Sequence, residues 1–387
     1  MKFRVFLCIL TAVVLVAGAV GAVVLMGKSA QIPPQGQTDS VTTGAPTIDY
    51  TTVPSEKPTE PAGPGPVEPP VTQPPVTEPP ITEPPVTEPL PTDPPPTEPP
   101  ATDPPVTKPP VTDPPVSGEK VFPKLTAKTA FVFDTRTDSY LYLGKSETTS
   151  LYPASITKLF NTYVALRYLQ PSAVITVGDE LDYLQDGASV AGLKKGDRIT
   201  VEATVKCALL PSGCDASYVL AAAAGRVILE DETAGVEEAI QAFMDRVNEV
   251  AQQLGMTGTY LVTPDGTHHA NHKISISGLV TIAKCCMEDP VISEVTRLVN
   301  AQVSVINSQG VSRTIKLKNT NSNLNPKSEF YTASCVGLKT GYTSKAGVCL
   351  LGVYQVEDGY LIIGLFGCPT LDSRYVDALA LLNYYAE

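Results

Sequence analysis

The pattern of hydrophobic and polar residues divides the chain into three parts. Residues 5–26 form a run of 22 residues without a charge, which is long enough to cross a bilayer. Between Pro69 and Pro115 prolines recur with a five-residue period, and no apolar periodicity accompanies them. From residue 118 onward, helical and strand patterns alternate. The pattern predicts an N-terminal anchor over residues 1–28, a stalk over 29–117 and one globular domain over 118–387.

The N-terminal run has two interpretations. Ala17-Gly18-Ala19 resembles the small-residue cleavage site of a signal peptide, but the apolar run continues beyond it to Met26. This continuation favours an uncleaved, single-pass membrane helix. Because Lys2 and Arg4 precede the run, the positive-inside rule predicts a cytoplasmic N-terminus and places the rest of the chain outside the cell.

The proline repeats predict a spacer without a core. Proline pairs block helix and sheet and favour polyproline II, in which about 60 residues at roughly 3.1 Å each would reach about 150–200 Å. A ligand for proline-binding modules is the alternative. The strict period and the external location favour a semi-rigid stalk.

The globular part begins with strand patterns, continues with helical ones and returns to strands. Two strands, Phe131–Phe133 and Tyr140–Leu143, predict a hairpin. Helical spacing follows at Ser155–Leu169, Val201–Leu210, Ala216–Ala224, Gly235–Leu254 and Ser275–Met287. Later strands are predicted at Gln302–Ile306, Ser312–Lys318, Cys335–Lys339, Val348–Gln355 and Tyr360–Gly367, and a last helix at Ser373–Tyr385.

This order predicts an α/β domain of the α+β type. The two ends of the domain would share one antiparallel sheet flanked by helices, and the middle would form a helical lobe. A cleft between sheet and lobe follows from that division.

Charge and cysteine content narrow the possible functions. Residues 1–117 hold 5 Lys or Arg and 12 Asp or Glu, so the domain keeps 23 basic against 28 acidic residues. That balance gives no basic surface for a nucleic-acid partner. The domain has seven cysteines, an odd number without metal-site spacing, and most lie in apolar runs. We interpret them as buried hydrophobic residues, except Cys214.

Three short motifs carry the candidate chemistry: Ser155-Ile156-Thr157-Lys158, Ser212-Gly213-Cys214 and Lys339-Thr340-Gly341. Residues three apart on a helix share a face, so Lys158 can reach Ser155. A lysine with the usual pKa of about 10.4 is protonated at neutral pH, and it accepts a proton only where burial or another cation lowers that pKa. Lys339 is the candidate for the second cation.

As an ordered set, these motifs resemble the Ser-x-x-Lys, Ser-x-Asn and Lys-Thr-Gly of the serine penicillin-recognising enzymes. Further phrases are similar to the low-molecular-weight D-alanyl-D-alanine carboxypeptidases, over about residues 125–387: Leu151-Tyr152-Pro153-Ala154, Leu209-Leu210-Pro211, Thr263-Pro264-Asp265-Gly266 and Gly337 to Thr343. The resemblance implies a β-lactamase-like fold, no cofactor and no metal. It also implies peptidoglycan stem peptides as substrates and β-lactams as covalent inhibitors.

The resemblance assigns roles residue by residue. Ser155 would attack the penultimate D-Ala carbonyl, and Lys158 would take its proton. Ser212 would pass a proton to the leaving D-Ala nitrogen. Lys339, Thr340 and Arg374 would bind the terminal carboxylate. Cys214 and Thr343 would also contact the substrate. The backbone N–H groups of Ser155 and Tyr342 would form the oxyanion hole.

Cys214 departs from the family pattern, because most relatives have Asn there. A thiol is a weaker hydrogen-bonding group than an amide, and losing such a bond costs about 1 kcal/mol. The Ser-x-Cys form occurs in the family, including in members that transfer the acyl group to an amine. The alternatives are therefore a DD-transpeptidase or a weakly catalytic, penicillin-sensing module that binds the wall. Many relatives carry a further β domain and a C-terminal membrane helix; here the anchor and stalk would hold the domain.

Two unrelated functions are weaker alternatives. A β-lactamase needs a Glu that activates water, and Glu249 lies off the apolar stripe of its helix, which favours a solvated residue. A metallopeptidase would use His268, His269 and His272, but they lack the His-Glu-x-x-His arrangement and follow a loop sequence.

Overall fold

The computed structural model describes residues 120–386. The predictions for residues 1–28 and 29–117 lie outside these described residues. Within them, no helix combines the length and apolarity needed to span a membrane. The strands are β1 Thr129–Asp134, β2 Ser139–Leu143, β3 Ser150–Leu151, β4 Val174–Thr176, β5 Arg198–Thr200, β6 Ile274–Ser275, β7 Asn300–Ile306, β8 Ser312–Lys318, β9 Cys335–Thr343, β10 Gly347–Val356 and β11 Gly359–Cys368. The helices are α1 Thr157–Ala165, α2 Val201–Leu209, α3 Cys214–Leu229, α4 Val236–Gln253, α5 Ile276–Glu288, α6 Pro290–Arg297 and α7 Ser373–Tyr385.

The main sheet has five antiparallel strands in the order β2-β1-β11-β10-β9. The central strands β10 and β11 are apolar and buried along most of their length, because helices cover both faces of the sheet. Helix α7 packs over β10 and β11 on one face, where Tyr375 and Leu381 are buried. The chain therefore builds this sheet from its first and last strands, as predicted.

A helical lobe lies on the other side of the main sheet. Helix α3 is apolar on almost every side and is buried between α2, α4 and α1, whereas α4 has one apolar stripe and an exposed polar face. The larger hydrophobic core joins these helices to the inner face of the sheet. The predicted division into sheet and helical lobe is confirmed.

A second sheet, in the order β4-β5-β7-β8, was not expected. We predicted β7 and β8 as part of the return to the main sheet, and that prediction is wrong. In both strands only alternate residues are buried, among them Val303 and Ile315, so one face of each strand is exposed to solvent. Strands of this kind suit a small outer sheet, whereas the doubly covered main sheet takes strands that are buried throughout.

Several element boundaries differ from the predictions. The first helix ends at Ala165 rather than Leu169, and its predicted start forms a separate 3₁₀ turn, Ala154–Ile156. Helix α6 was missed because Pro290 reads as a breaker, yet proline is well tolerated in the first helical turn, and Asp289 caps this helix. Strand β9 continues to Thr343, past the predicted end at Lys339.

Candidate active site

Ser155 lies in the 3₁₀ turn that leads into α1. The preceding Ala154 has a φ of 50°, a left-handed conformation that is costly for a residue with a side chain. Gly266 packs against this turn so closely that a Cβ there would stand 1.9 Å from the Ala154 carbonyl oxygen. The Thr-Pro-Asp-Gly loop, residues 263–266, thus packs against the strained turn and holds Ser155 at the opening of the cleft.

Lys158 is the second residue of α1, and it is only 1% exposed. Its Nζ donates to Ser155 Oγ at 2.9 Å and to the Asp265 carbonyl oxygen at 2.7 Å. A third contact joins Nζ to Cys214 Sγ at 3.5 Å. Partners from three segments of the chain therefore hold the amino group of Lys158 against the serine hydroxyl.

Asp265 supplies a negative charge next to Lys158. Burial acts to raise the pKa of this carboxyl, but attraction to Lys158 and hydrogen bonds from Thr267 outweigh it and lower the pKa. Thr267 donates to Asp265 through its backbone N–H at 2.9 Å and its hydroxyl at 2.7 Å. Asp265 thus stays ionised beside Lys158, where it can stabilise the ammonium that forms when Lys158 takes a proton. In the sequence, Asp265 belongs to a motif similar to the family, but no role was predicted for it.

Ser212 and Cys214 come from the short connection between α2 and α3. Ser212 has a φ of 65°, and Cys214 is the first residue of α3. Burial raises the pKa of the Cys214 thiol, although attraction to Lys158 opposes this, so the thiol is neutral at neutral pH. Ser189 holds this turn, because its hydroxyl donates to the Ser212 carbonyl at 2.6 Å and its carbonyl accepts from Cys214 N at 2.7 Å.

The segment that carries Ser189 is anchored by a buried carboxylate, Asp215. Its two oxygens accept from the backbone N–H groups of Ala191, Gly192 and Leu193 at 2.8–3.0 Å. Because Asp215 follows Cys214 directly, one residue ties this loop to the second motif. Neither Asp215 nor Ser189 was predicted, since nothing in their spacing indicates contact with the site.

Lys339 lies buried on β9, directly before Thr340, and its Nζ donates to the Thr340 carbonyl at 3.1 Å. Burial, together with repulsion from Lys158 and Arg374, holds the pKa of Lys339 well below its usual value. The predicted proximity of the two lysine charges is therefore present. Thr340 Oγ1 lies 2.7 Å from Thr320 Oγ1, a partner that sequence reasoning missed.

Arg374 begins α7 and reaches the same wall of the cleft. Its Nη1 donates to the Cys349 carbonyl at 3.4 Å, and its buried Nε has no hydrogen-bond partner among residues 120–386. The buried guanidinium of Arg374 therefore has an N–H group that can still donate a hydrogen bond to a ligand. Together with Lys339 and Thr340, it gives this wall a positive character that suits a carboxylate.

Two clefts meet at Ser155. The larger, of about 550 Å³, includes Ser212, Lys318, Thr320, Thr340, Leu371 and Arg374 in its walls. The smaller, of about 340 Å³, includes Asp186, Cys214, Asp265, His268 and Thr343. Tyr342, which is 63% exposed, borders both clefts, and so does Ser189.

Gly341 lets strand β9 lie close to the turn that carries the nucleophile. A Cβ at this position would lie 3.2 Å from Ser155 N and 3.1 Å from Ala154 Cβ. Its absence lets a substrate oxygen approach the backbone N–H of Ser155. Thr343 lines the smaller cleft, but its hydroxyl already accepts from Ala346 N at 3.0 Å, which caps the β9–β10 turn.

The histidines and Glu249 have other contacts. His272 is buried, its Nδ1 accepts from Val262 N and Thr263 N, and its Nε2 lies 2.8 Å from Thr157 Oγ1. Burial lowers the pKa of His272 to about 4, so the ring is neutral and positions the loop below Ser155. Glu249 is exposed and pairs with Arg246 at 2.8 Å, as a solvated helix residue does.

Comparison with known proteins gives consistent matches to one family. A family model described as D-alanyl-D-alanine carboxypeptidase matches residues 117–369. A D-alanyl-D-alanine carboxypeptidase of Streptomyces sp. strain K15 is 27% identical over 270 residues, which cover 68% of this chain and 88% of that protein. One from Bacillus subtilis is 26% identical over 67% of this chain, but this match spans only 61% of the relative.

Solved structures show the same fold. The Streptomyces K15 DD-transpeptidase superposes with a TM-score of 0.62 at 26% identity, covering 68% of this chain and 98% of that one. Penicillin-binding protein 5 from Haemophilus influenzae superposes with a TM-score of 0.56 at 24% identity and shows the fold alone.

Proposed function

This chain belongs to the D-alanyl-D-alanine carboxypeptidase family of serine peptidases, and on that premise we propose that it cleaves the last peptide bond of peptidoglycan stem peptides ending in D-Ala-D-Ala. The observation that carries the proposal is the 2.9 Å contact between Lys158 Nζ and Ser155 Oγ, beside a cleft that Thr340 and Arg374 line and next to which Lys339 is buried. A nucleophile with a base in reach and a cationic pocket beyond it suit attack on a carbonyl that is followed by a carboxylate.

In the first step, Ser155 Oγ attacks the carbonyl carbon of the penultimate D-Ala, and its proton passes to Lys158, which accepts it as the neutral amine. The carbonyl oxygen gains negative charge, which the backbone N–H groups of Ser155 and Tyr342 stabilise. The glycine at 341 supports this assignment, because a Cβ there would lie 3.2 Å from Ser155 N and would crowd a donor that must reach the developing oxyanion.

The tetrahedral intermediate then collapses. The bond to the terminal D-Ala nitrogen breaks, and Ser212 relays to that nitrogen the proton that Lys158 took from Ser155, so that it leaves as an amine. Lys339, Thr340 and Arg374 hold the carboxylate of this leaving group. An incompletely partnered buried cation such as Arg374 gains most from an anionic ligand, because charge-assisted hydrogen bonds are strong where water is excluded.

The fate of the acyl-enzyme defines a second candidate function. Water would release a shortened peptide, whereas an amine from a neighbouring strand would give a cross-link. Cys214 supports transfer of the acyl group to an amine as the second candidate, because the structural neighbour from Streptomyces K15 is a DD-transpeptidase. Solved variants of that enzyme are substituted at a serine and at a cysteine two positions apart, the spacing of Ser212 and Cys214 here.

A reporter penicillin tests the acyl-enzyme. The protein should form one covalent adduct that Ser155→Ala abolishes, and an adduct that survives this change would contradict the proposal. Release of free D-Ala from a pentapeptide ending in D-Ala-D-Ala then separates an enzyme from a penicillin-sensing module, which would bind without release. If added amines capture most of the acyl group, the protein is a transpeptidase rather than a carboxypeptidase.

We also propose that residues 1–28 anchor the chain in the cell membrane and that residues 29–117 hold the domain out in the wall. The support is the uncharged run over 5–26, the cations before it and the proline period. The full chain should sediment with membranes and be degraded by protease added to intact protoplasts. A soluble protein, or one protected from the protease, would contradict this arrangement.

A further inference from the structure

The two clefts that meet at Ser155 carry opposite charge. The described residues lining the larger cleft include Lys318 and Arg374 and no carboxylate. Those lining the smaller cleft include Asp186 and Asp265 and neither lysine nor arginine. A substrate bound across Ser155 therefore meets a positive surface on one side and a negative one on the other.

The two acids of the smaller cleft differ in availability. Asp265 is buried and is already engaged by Thr267 and by the charge of Lys158. Asp186 is exposed, and within the described part of the chain its side chain forms no hydrogen bond or ion pair. Asp186 is thus the carboxylate of this cleft that is free to receive a ligand.

A structural role in its turn does not account for Asp186. The turn is closed by Ala188 N donating to the Gln185 carbonyl at 3.1 Å, and Gly187 has a φ of 75°. Asp residues that shape turns elsewhere in the protein accept from a backbone N–H, as Asp231 does from Thr233 N at 2.8 Å. Within the described residues Asp186 makes no such bond, so it does not cap its own turn.

The loop that carries Asp186 is fixed to the catalytic machinery. Three residues on, Ser189 holds the Ser212–Cys214 turn through two hydrogen bonds, and beyond it Asp215 fixes the backbone of Ala191 and Gly192. A charge on such a loop keeps its distance from Ser155, which is what a residue that discriminates between substrates requires.

We propose that Asp186 determines specificity by binding a primary amine on the acyl arm of the substrate, the part that stays on Ser155 after the terminal D-Ala leaves. This inference rests on the proposed function, which places the leaving carboxylate in the larger, positive cleft and so directs the acyl arm into the smaller one. The partner chemistry is an ammonium group carried by a side chain of the stem peptide.

The test uses the full chain and two peptides ending in D-Ala-D-Ala, one with a free lysine ε-amine before them and one with that amine acetylated. The wild type should release D-Ala from the free-amine peptide about two- to fivefold faster in kcat/KM, the range of an exposed ion pair, and added salt should reduce the ratio. Asp186→Asn should bring the ratio to one by lowering kcat/KM for the free-amine peptide alone.

Asp182→Asn is the matched control, because Asp182 lies on the same segment, outside both clefts, and pairs with Lys195 at 2.5 Å. It should leave the ratio unchanged. Labelling of Asp186→Asn by a reporter penicillin without an amine should equal that of the wild type. Equal rates on both peptides in the wild type, or a ratio that persists in Asp186→Asn, would overturn this inference alone. Absence of D-Ala release from both peptides would instead refute the proposed function.

Discussion

Two buried lysines belong to the site, Lys158 on α1 and Lys339 on β9; both are 1% exposed, and their surroundings differ. Lys158 has three partners, including the serine hydroxyl, and a carboxylate nearby at Asp265. Lys339 donates to one carbonyl, that of Thr340, and faces the repulsion of two other cations. One site is electrostatically complete within the protein, and the other is not.

The difference indicates what each lysine does. A base must stay against its nucleophile whether or not substrate is bound, so its partners belong to the protein. A group that recognises an anion gains affinity when it is left poorly compensated, because the substrate then supplies the missing charge. The lowered pKa of Lys339 is the measurable sign of this incomplete compensation.

The largest effect is expected from removing the base. Lys158→Met should slow acylation by a reporter penicillin by about 10²–10⁴-fold, since proton transfer by a positioned group contributes that much. Stopped-flow labelling measures the rate. Lys327→Met, at an exposed lysine outside both clefts, is the control and should acylate normally. An acylation rate in Lys158→Met within threefold of the wild type would show that another group takes the proton.

Removing the substrate-facing cation should act mainly on binding. Lys339→Met should raise KM for a D-Ala-D-Ala peptide about ten- to a hundredfold, the range of a lost hydrogen bond to a charged group. It should have less effect on a peptide whose terminal carboxylate is amidated. If both peptides lose activity equally, Lys339 does not bind the carboxylate.

The lowered pKa of Lys339 predicts a pH dependence with a definite sign. As the pH rises through this pKa, Lys339 loses its proton in the free enzyme, so KM should increase on the alkaline side. Bound carboxylate opposes this loss, and kcat should change less. Steady-state kinetics between pH 6 and pH 10 measures both constants. A KM that rises equally in Lys339→Met would assign the effect to another group.

Lys339→Met should also stabilise the folded protein. Between the lowered pKa of Lys339 and the ordinary pKa of lysine, the unfolded chain binds a proton that the folded one lacks, so stability rises with pH. The cost of burying the cation is therefore greatest at low pH. Lys339→Met should raise Tm at pH 6 by at least about 2–4 °C. A lower Tm would mean that the ammonium contributes to folding.

The smallest effect concerns Cys214, which contacts Lys158 with a weak hydrogen-bonding group. Cys214→Asn should increase D-Ala release about fivefold, the value of one ordinary hydrogen bond. Cys214→Ala serves as the matched control, because it removes the thiol without adding an amide. No gain in Cys214→Asn would mean that the site has adapted to the thiol.

Sequence patterns predicted most long elements and the three motifs. Helices α4 and α5 were predicted to within one residue at each end, because periodic apolar residues and clear ends define them. The small strands β4 and β5 were missed because three-residue strands carry no period. Helix α6 was missed because its first residue, Pro290, reads as a helix breaker, although proline is well tolerated at a helix start. The placement of β7 and β8 in their own sheet depended on long-range pairing, which local sequence does not encode.

By itself, the sequence determined which residue types are available and how near neighbours stand. Ser155 and Lys158 share a face because they are three residues apart, and the apolar runs of β10 and β11 could only be central strands. Only the tertiary structure decided which residues surround each lysine. Asp265, Ser189 and Thr320 join the site from segments far along the chain, and burial and charge then act through distances in space rather than along the sequence.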